Sequence, residues 1–208
     1  MKVNVLIVED SRVSREAFER KISSFPEYSV IASIENAANA EIACMSNKID
    51  LILMDVCTAD DESGIRAAAR VKKNYPRVRI ILMTSMPEHS FIKKAQGSGC
   101  DSFWYKEYGD ISLREVCERT MKGEKVWPES SPVIMIGQAK SSEFTDREFA
   151  VIRELVRGVR YEEMADTLHL SINTVKYHVK NILQKTGFRS TIQLVAEVVE
   201  KRLVLPKY

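Results

Sequence analysis

Long apolar runs are missing from this sequence of 208 residues. No stretch approaches the roughly 18 apolar residues of a transmembrane helix, so no membrane span is predicted. The opening residues, MKVNVLIVEDS, contain a short apolar run that ends in acids, without the length or the cleavage site of a signal peptide. Cysteine is scarce, and the 4 cysteines show neither a CxxC pair nor zinc-ligand spacing. We therefore expect a cytoplasmic protein with reduced thiols and no membrane partner.

An excess of charge of one sign is also missing, since 31 basic and 29 acidic residues give a formal net charge of +2. This balance gives no argument for nucleic acid or a membrane surface, so that argument has to come from local charge distribution. Hydrophobic residues (45%) and charged residues (29%) are present in ordinary globular proportions. The length exceeds the roughly 100–150 residues at which single domains are commonest, which favours two domains.

Residues 1–122 alternate short β-type runs with amphipathic stretches. Strands are predicted at 3–8, 28–34, 50–54, 78–83 and 101–105, and helices at 11–24, 36–47, 63–74, 88–97 and 110–122. Five strand–helix units in succession predict a parallel sheet covered by helices on both faces, and the continuously apolar runs LIV, LILM and IILM are typical of its buried strands. The predicted fold class is a doubly wound, flavodoxin-like α/β domain.

The pattern changes after residue 122. Residues 123–143, GEKVWPESSPVIMIGQAKSSE, carry two prolines, two glycines and four serines and are interpreted as a linker. Within it, VIMI is compatible with a small strand that has no assigned partner, and Trp127 with packing on either domain. Residues 144–208 have helical periodicity and predict a small all-α domain of four helices, the second and third joined by a few residues as in a helix-turn-helix.

The predicted strands end in residues that carry chemistry. Strand one is followed by Glu9 and Asp10, strand three by Asp55, strand four by Thr84 and strand five by Lys106. Because ligands gather at the carboxyl ends of the strands of a doubly wound sheet, these side chains are candidates for one site. Grouped carboxylates attract Mg²⁺, a lysine and a hydroxyl suit a phosphoryl group, and a carboxylate that attacks a phosphoryl donor becomes an aspartyl phosphate.

Each of these residues also has an ordinary interpretation. Asp10 together with Ser11 is compatible with capping one helix, and Thr84 is compatible with capping another. An isolated lysine is usually a solvated side chain. Asp55 is compatible with the start of an acidic loop. What favours a common site is that all of them stand at the ends of successive parallel strands.

The segments IVEDS, LILMDV, ILMTS and FWYKE make residues 3–122 resemble the receivers of two-component response regulators. The resemblance implies phosphorylation of Asp55, and an aromatic switch residue at Phe103. It implies Mg²⁺ ligation by Glu9, Asp10, Asp55 and the carbonyl of Cys57, with phosphoryl contacts from Thr84 and Lys106.

The loop after Asp55 departs from the family pattern. It reads VCTADDESG, lacks the usual methionine–proline pair, and reaches Gly64 one residue late. Two alternatives therefore stay open: a phosphorylation-independent transcription factor whose degenerate receiver serves dimerisation, and a phosphohydrolase. The second needs a general acid two residues after the nucleophile, where Cys57 stands, and is disfavoured.

Residues 171–190 hold four basic residues and no acidic one. Lys176 and Lys180 lie four apart and share a helix face, which suits the DNA major groove, although two such lysines alone are more typical of a solvated surface. The runs FTDREFAVIRELVRG and SINTVKYHVKNILQKTG resemble the LuxR-type helix-turn-helix. The resemblance implies DNA contacts from Thr174, Lys176, Tyr177, His178, Lys180 and Asn181.

The order of receiver, linker and LuxR-type domain resembles response regulators of the NarL/FixJ type. It implies a transcription factor, not an enzyme, that is switched by phosphorylation of Asp55. The implied partners are a sensor histidine kinase as phosphodonor, double-stranded DNA, and a second copy of the chain in the active state.

Overall fold

The computed structural model describes residues 2–88, 90–108 and 111–204. The chain divides into two units, one made of Met1–Ser85 and Phe91–Ser130, the other of Met86–Ser90 and Ser131–Tyr208. Each unit has its own hydrophobic core. No helix in the described ranges is long and apolar enough to cross a membrane.

The first unit contains a five-stranded sheet in the order β2-β1-β3-β4-β5, with every neighbouring pair parallel. The strands are β1 (Val3–Val8), β2 (Tyr28–Ile34), β3 (Leu51–Asp55), β4 (Arg79–Thr84) and β5 (Ser102–Tyr105). The predicted α/β class is confirmed, and each strand boundary lies within one residue of its prediction. All five residues of β3 are buried, which explains why its sequence is continuously apolar up to the aspartate.

The helices of this unit follow the strands as the alternation predicts. They are α1 (Arg12–Ser23), α2 (Ala40–Ser46), α3 (Gly64–Asn74), α4 (Ser90–Gly97) and α5 (Leu113–Met121). The predicted second helix begins instead as a short 3-10 turn, Ala37–Asn39, capped by the side chain of Asn36. The predicted first residue of the fifth helix, at 110, lies outside the described residues.

The segment predicted as a linker is divided between the two units. Val126 is buried beside β5: its N–H donates to Ser102 Oγ at 3.1 Å, and its carbonyl accepts from the Phe103 N–H at 2.9 Å. Trp127 stacks on Phe103, so both residues belong to the first unit. In the second unit, β6 (Met135–Ile136) pairs with β7 (Ala139–Lys140), which gives the VIMI run the partner that the sequence left unassigned.

The second unit contains the four predicted helices, α6 (Asp146–Arg157), α7 (Tyr161–Leu168), α8 (Ile172–Thr186) and α9 (Thr191–Glu200). A capping box begins α6. Thr145 Oγ1 accepts from the Glu148 N–H at 3.2 Å, and Glu148 Oε2 accepts from the Thr145 N–H at 2.8 Å. Apolar residues from all four helices, among them Phe149, Val179 and Leu194, form one core.

Candidate functional site

Three carboxylates meet at the carboxyl edge of the sheet. Glu9, Asp10 and Asp55 each offer an oxygen, and these oxygens lie within 4.8 Å of one another. The order β2-β1-β3 makes β1 and β3 neighbours, so residues that are distant in sequence end their strands side by side. Glu9 and Asp55 are buried and Asp10 is exposed, so the cluster opens to solvent on the Asp10 side.

Lys106 reaches into this cluster from the end of β5. Its Nζ lies 2.5 Å from Glu9 Oε2 and 2.9 Å from Asp55 Oδ1. Its backbone N–H donates to the Thr84 carbonyl at 2.9 Å, which fixes the chain after β5 against the end of β4. Thr84 is buried as the last residue of β4. The residues predicted from four strand ends therefore gather at one edge.

The electrostatics of the pocket follow from burial and from its excess of acids. Burial raises the pKa of Asp55 well above the ordinary carboxyl range, and Glu9 adds to this rise while Lys106 opposes it. For Lys106, burial disfavours the ammonium, but Asp55 and Glu9 outweigh burial and raise its pKa. One ammonium thus faces three carboxyl groups. An oxygen-only donor set with excess negative charge suits Mg²⁺.

The helix-capping interpretation holds for Ser11 but not for Asp10 or Thr84. The residue that caps α1 is Ser11, whose Oγ accepts from the Ser14 N–H at 3.4 Å, so Asp10 is not the cap. Thr84 lies six residues before the first residue of α4, Ser90, and so does not occupy the cap position of that helix. Both side chains therefore belong to the edge of the sheet, not to a helix start.

The atypical loop after Asp55 is closed by its own hydrogen bonds. Thr58 is buried, and its Oγ1 donates to the Glu62 carbonyl at 2.9 Å and accepts from the Ala37 N–H at 3.0 Å. Cys57 pairs antiparallel with Ser63. The loop turns through Asp60, which has a left-handed backbone with φ of 57°. The loop is therefore a short hairpin that turns at Asp60.

Gly64 closes this loop onto the end of β3. Its N–H donates to the Val56 carbonyl at 2.9 Å, and a Cβ at this position would lie 1.9 Å from the Asp55 carbonyl oxygen. No Cβ fits at that separation, so this position requires glycine. Although Gly64 comes one residue later than in the family pattern, it still contacts the backbone of Asp55.

Phe103 is buried inside the first unit. Its ring makes an edge contact with Tyr105, at a centroid distance of 5.2 Å, and stacks on Trp127 at 6.3 Å. Its assignment as the switch residue stays a prediction, as does the assignment of the Cys57 carbonyl to the metal.

The outer face of α8 carries three of the six residues predicted to meet DNA. Lys176, Tyr177 and Lys180 are exposed, whereas Thr174, His178 and Asn181 are half-buried. The Thr174 hydroxyl is within hydrogen-bond distance (2.8 Å) of Ser171 Oγ at the helix cap.

The count of charged residues does not predict the position of two further residues of α8, Lys185 and Asn173. Lys185 serves the fold, because its Nζ binds Glu148 Oε2 at 2.7 Å and the Glu143 carbonyl at 3.0 Å. Asn173 is exposed near the start of the helix, and sequence reasoning missed it. A helical projection of α8 would have placed it beside Lys176 and Lys180.

Comparison with known protein families decides the classification. Residues 5–118, more than half of the chain, match the family described as response regulator receiver domain. The chain belongs to the response regulators. Residues 142–198 of this response regulator match the family described as bacterial regulatory proteins, luxR family. It therefore joins a receiver to a LuxR-type domain, as the sequence predicted.

The similarity to known proteins extends over nearly the whole chain. The chain is 28% identical to response regulator protein VraR of Staphylococcus epidermidis, over 98% of this chain and 100% of VraR. It is 29% identical to VraR of Staphylococcus saprophyticus, with the same coverage. Among solved structures, the fold is similar to that of RcsB from Salmonella typhimurium, with a TM-score of 0.56 at 18% identity over 95% of this chain and 98% of RcsB.

Proposed function

We propose that this response regulator is a DNA-binding transcription factor of a two-component system, switched by phosphorylation of Asp55. The observation that carries the proposal is the position of Lys106 Nζ, in contact with both Glu9 and Asp55 within a cluster of three carboxylates. An acidic cluster with one buried cation suits phosphoryl transfer, in which charge on the transferred group must be offset.

In the transfer, an Asp55 oxygen bonds to phosphorus while the bond from phosphorus to the donor breaks. When a histidine of the sensor kinase is the donor, its imidazole leaves with the electron pair of that bond. The Lys106 ammonium exchanges a contact with a carboxylate oxygen for one with a phosphoryl oxygen. The Thr84 hydroxyl donates a hydrogen bond to a second phosphoryl oxygen. Glu9, Asp10, Asp55 and the Cys57 carbonyl would hold Mg²⁺, which would supply positive charge to offset that of the phosphoryl oxygens.

The switch then follows from the new hydrogen bonds at the strand ends. Drawing Thr84 toward the phosphoryl group alters the end of β4, where Thr84 lies opposite Tyr105 of β5. Phe103 stands two residues before Tyr105 on the same strand and contacts its ring. Moving a two-state equilibrium from 1:99 to 99:1 needs about 5.5 kcal/mol, which several charge-assisted hydrogen bonds in a buried pocket supply.

The output is DNA binding by α8. Lys176, Tyr177 and Lys180 lie on one exposed face of the helix, with a width and charge that suit the major groove. Thr174, His178 and Asn181 flank this face and are assigned to the sugar–phosphate backbone. Because the proposed partners are a sensor kinase and DNA, we expect the protein to act in the cytoplasm, by binding DNA and not by catalytic turnover.

The DNA-bound state is a homodimer in this proposal. The related RcsB structures include two dimers bound to two parallel DNAs, with a TM-score of 0.57 to this chain. On this chain, α9 presents Ile192 with 79% of its surface exposed, in an open pocket that is also lined by Val195 and Ala196 of α9 and by Leu155 of α6. An exposed apolar side chain in a mostly apolar pocket suits a two-fold contact with a second copy.

The test is phosphorylation of the full-length protein. Purified protein is incubated with Mg²⁺ and acetyl phosphate, and intact mass and oligomeric state are measured for wild type, Asp55→Ala and Asp166→Ala, a control at an exposed acid of α7. We expect one phosphoryl adduct and dimers in wild type and in the control, and neither in Asp55→Ala. Wild-type protein without an adduct that forms dimers regardless would instead identify a phosphorylation-independent transcription factor.

A further inference from the structure

The exposed face of α8 carries an amide side chain that the proposed DNA contacts do not use. Asn173 is the second residue of the helix, and it is exposed. Residues 176, 177 and 180 follow it at spacings of three, four and seven. Because residues three, four and seven apart stack on one side of a helix, Asn173 begins the stripe that Lys176, Tyr177 and Lys180 continue.

The opposite side of α8 is fixed in the core of the second unit. Val175, Val179 and Ile182 are buried there, with the stripe of Asn173 on the far side of the helix. The orientation of the helix about its own axis is thus set by packing, and Asn173 cannot turn inward without exposing these apolar residues. A face held in this way suits direct reading of base edges.

The hydrogen-bonding capacity of Asn173 is available. Its carboxamide makes no hydrogen bond with any residue in the described part of the chain, whereas the neighbouring Thr174 hydroxyl is engaged with Ser171. A carboxamide offers a donor and an acceptor side by side. In the major groove only adenine presents the matching pair, the N7 acceptor and the N6 donor, on one base.

We propose that Asn173 reads an adenine in each half-site of the operator. This inference rests on the proposed DNA-binding function and adds the base that Asn173 recognises. The residues at the N-terminal end of a recognition helix contact base edges, and Asn173 lies at that end. Lys176 and Lys180 are donors only and suit guanine or phosphate, so Asn173 supplies the one donor–acceptor pair near the start of the stripe.

The experiment is selection from a pool of duplex DNA with a randomised central segment. Full-length wild type, Asn173→Ala and Gln184→Ala are each treated with Mg²⁺ and acetyl phosphate, and the enriched sequences are compared. Gln184 is also exposed on α8 but lies eleven residues further along, toward the other end of the helix, and is the matched control.

Wild type and Gln184→Ala are expected to enrich a two-fold motif with an adenine at one position of each half-site. Asn173→Ala is expected to keep the rest of the motif and to lose the preference for that adenine by roughly tenfold, the usual discrimination of a bidentate contact. If the adenine preference survives in Asn173→Ala, or if affinity falls equally for all sequences, the inference is wrong while DNA binding stands. If wild type enriches no motif at all, the proposed function and the inference both fail.

Discussion

The indole ring of Trp127 stacks on the ring of Phe103, with centroids 6.3 Å apart and planes 19° from parallel. Next to this contact, the Phe103 N–H donates to the Val126 carbonyl, so backbone and side chain both join β5 to the segment after α5. Trp127 precedes by only a few residues the point at Ser130 where the first unit ends. A change in the position of Phe103 therefore acts directly on the start of the connection to the second unit.

This contact predicts a fluorescence signal from the switch. The protein has 2 tryptophans, so Trp104→Phe leaves Trp127 as the sole indole. We expect Mg²⁺ with acetyl phosphate to change the Trp127 emission of this variant, because movement of Phe103 alters the stacked environment. Trp127→Phe, which keeps only Trp104, is the control and should respond less. An equal response after adding Asp55→Ala to the Trp104→Phe variant would contradict the prediction.

A second prediction concerns the close approach of Gly64 to Asp55. Gly64→Ala should destabilise the first unit by about 1–3 kcal/mol, the range for overpacked interiors, because the new Cβ displaces the Asp55 backbone. Gly97→Ala, at a helical glycine with nothing within 4 Å of the added Cβ, is the control. It should be neutral or stabilising by up to about 1 kcal/mol. Urea unfolding followed by tryptophan fluorescence measures both, and equal effects would argue against a close fit at Gly64.

A third prediction concerns the balance of charge in the pocket. Lys106→Met removes the ammonium between Glu9 and Asp55 while keeping an apolar stem. We expect Mg²⁺ to bind roughly fivefold more tightly or better, because one unit charge about 4 Å away contributes about 1 kcal/mol even in water. Phosphoryl uptake should fall. Isothermal titration measures the affinity, with Lys125→Met as a control that removes an exposed charge, and unchanged or weaker binding by Lys106→Met would count against the assignment of the metal site.

A fourth prediction is a pH dependence of the second unit. Burial alone would raise the pKa of Glu148, but hydrogen bonds from Lys185 and Thr145 hold it below its ordinary value. Since the native pKa is the lower one, the carboxylate stabilises the native state above about pH 4.3, and this stabilisation is lost as pH falls through the native pKa. Glu148→Gln can keep the capping box but loses the charge.

We expect this variant to be less stable than wild type by about 1 kcal/mol at pH 7, a value reduced by the partial exposure of Lys185. The difference should shrink below about pH 4. Hydrogen exchange of the α6 amides measures the stability of the second unit. Glu200→Gln, at an exposed position of α9, should match wild type throughout, and a gap that persists at low pH would show that Glu148 acts through packing and not through charge.

Local patterns were sufficient to predict most of the fold. The strands of the first unit are short apolar runs ended by polar residues, and the caps at Thr145 and Ser171 depend on side chains within three residues of the backbone groups that they bind. Such features involve only neighbouring residues, so the local sequence is sufficient to encode them. The stretch 36–47 was predicted as one helix, but its first turn is a 3-10 turn capped by Asn36. The Ala37 N–H in this turn donates to Thr58 Oγ1, and such a contact between distant segments is harder to predict from local sequence.

The sequence by itself determined the two-part organisation and the identity of the residues at the strand ends, because hydrophobic period and chain order are properties of the chain alone. Only the tertiary structure decided which of these residues touch. The contact of Lys106 with Glu9 joins residues that are 97 positions apart, and it exists because the sheet order sets β1 beside β3 and β5 beside β4. Likewise, the stacking of Trp127 on Phe103 depends on packing between segments that no local pattern encodes.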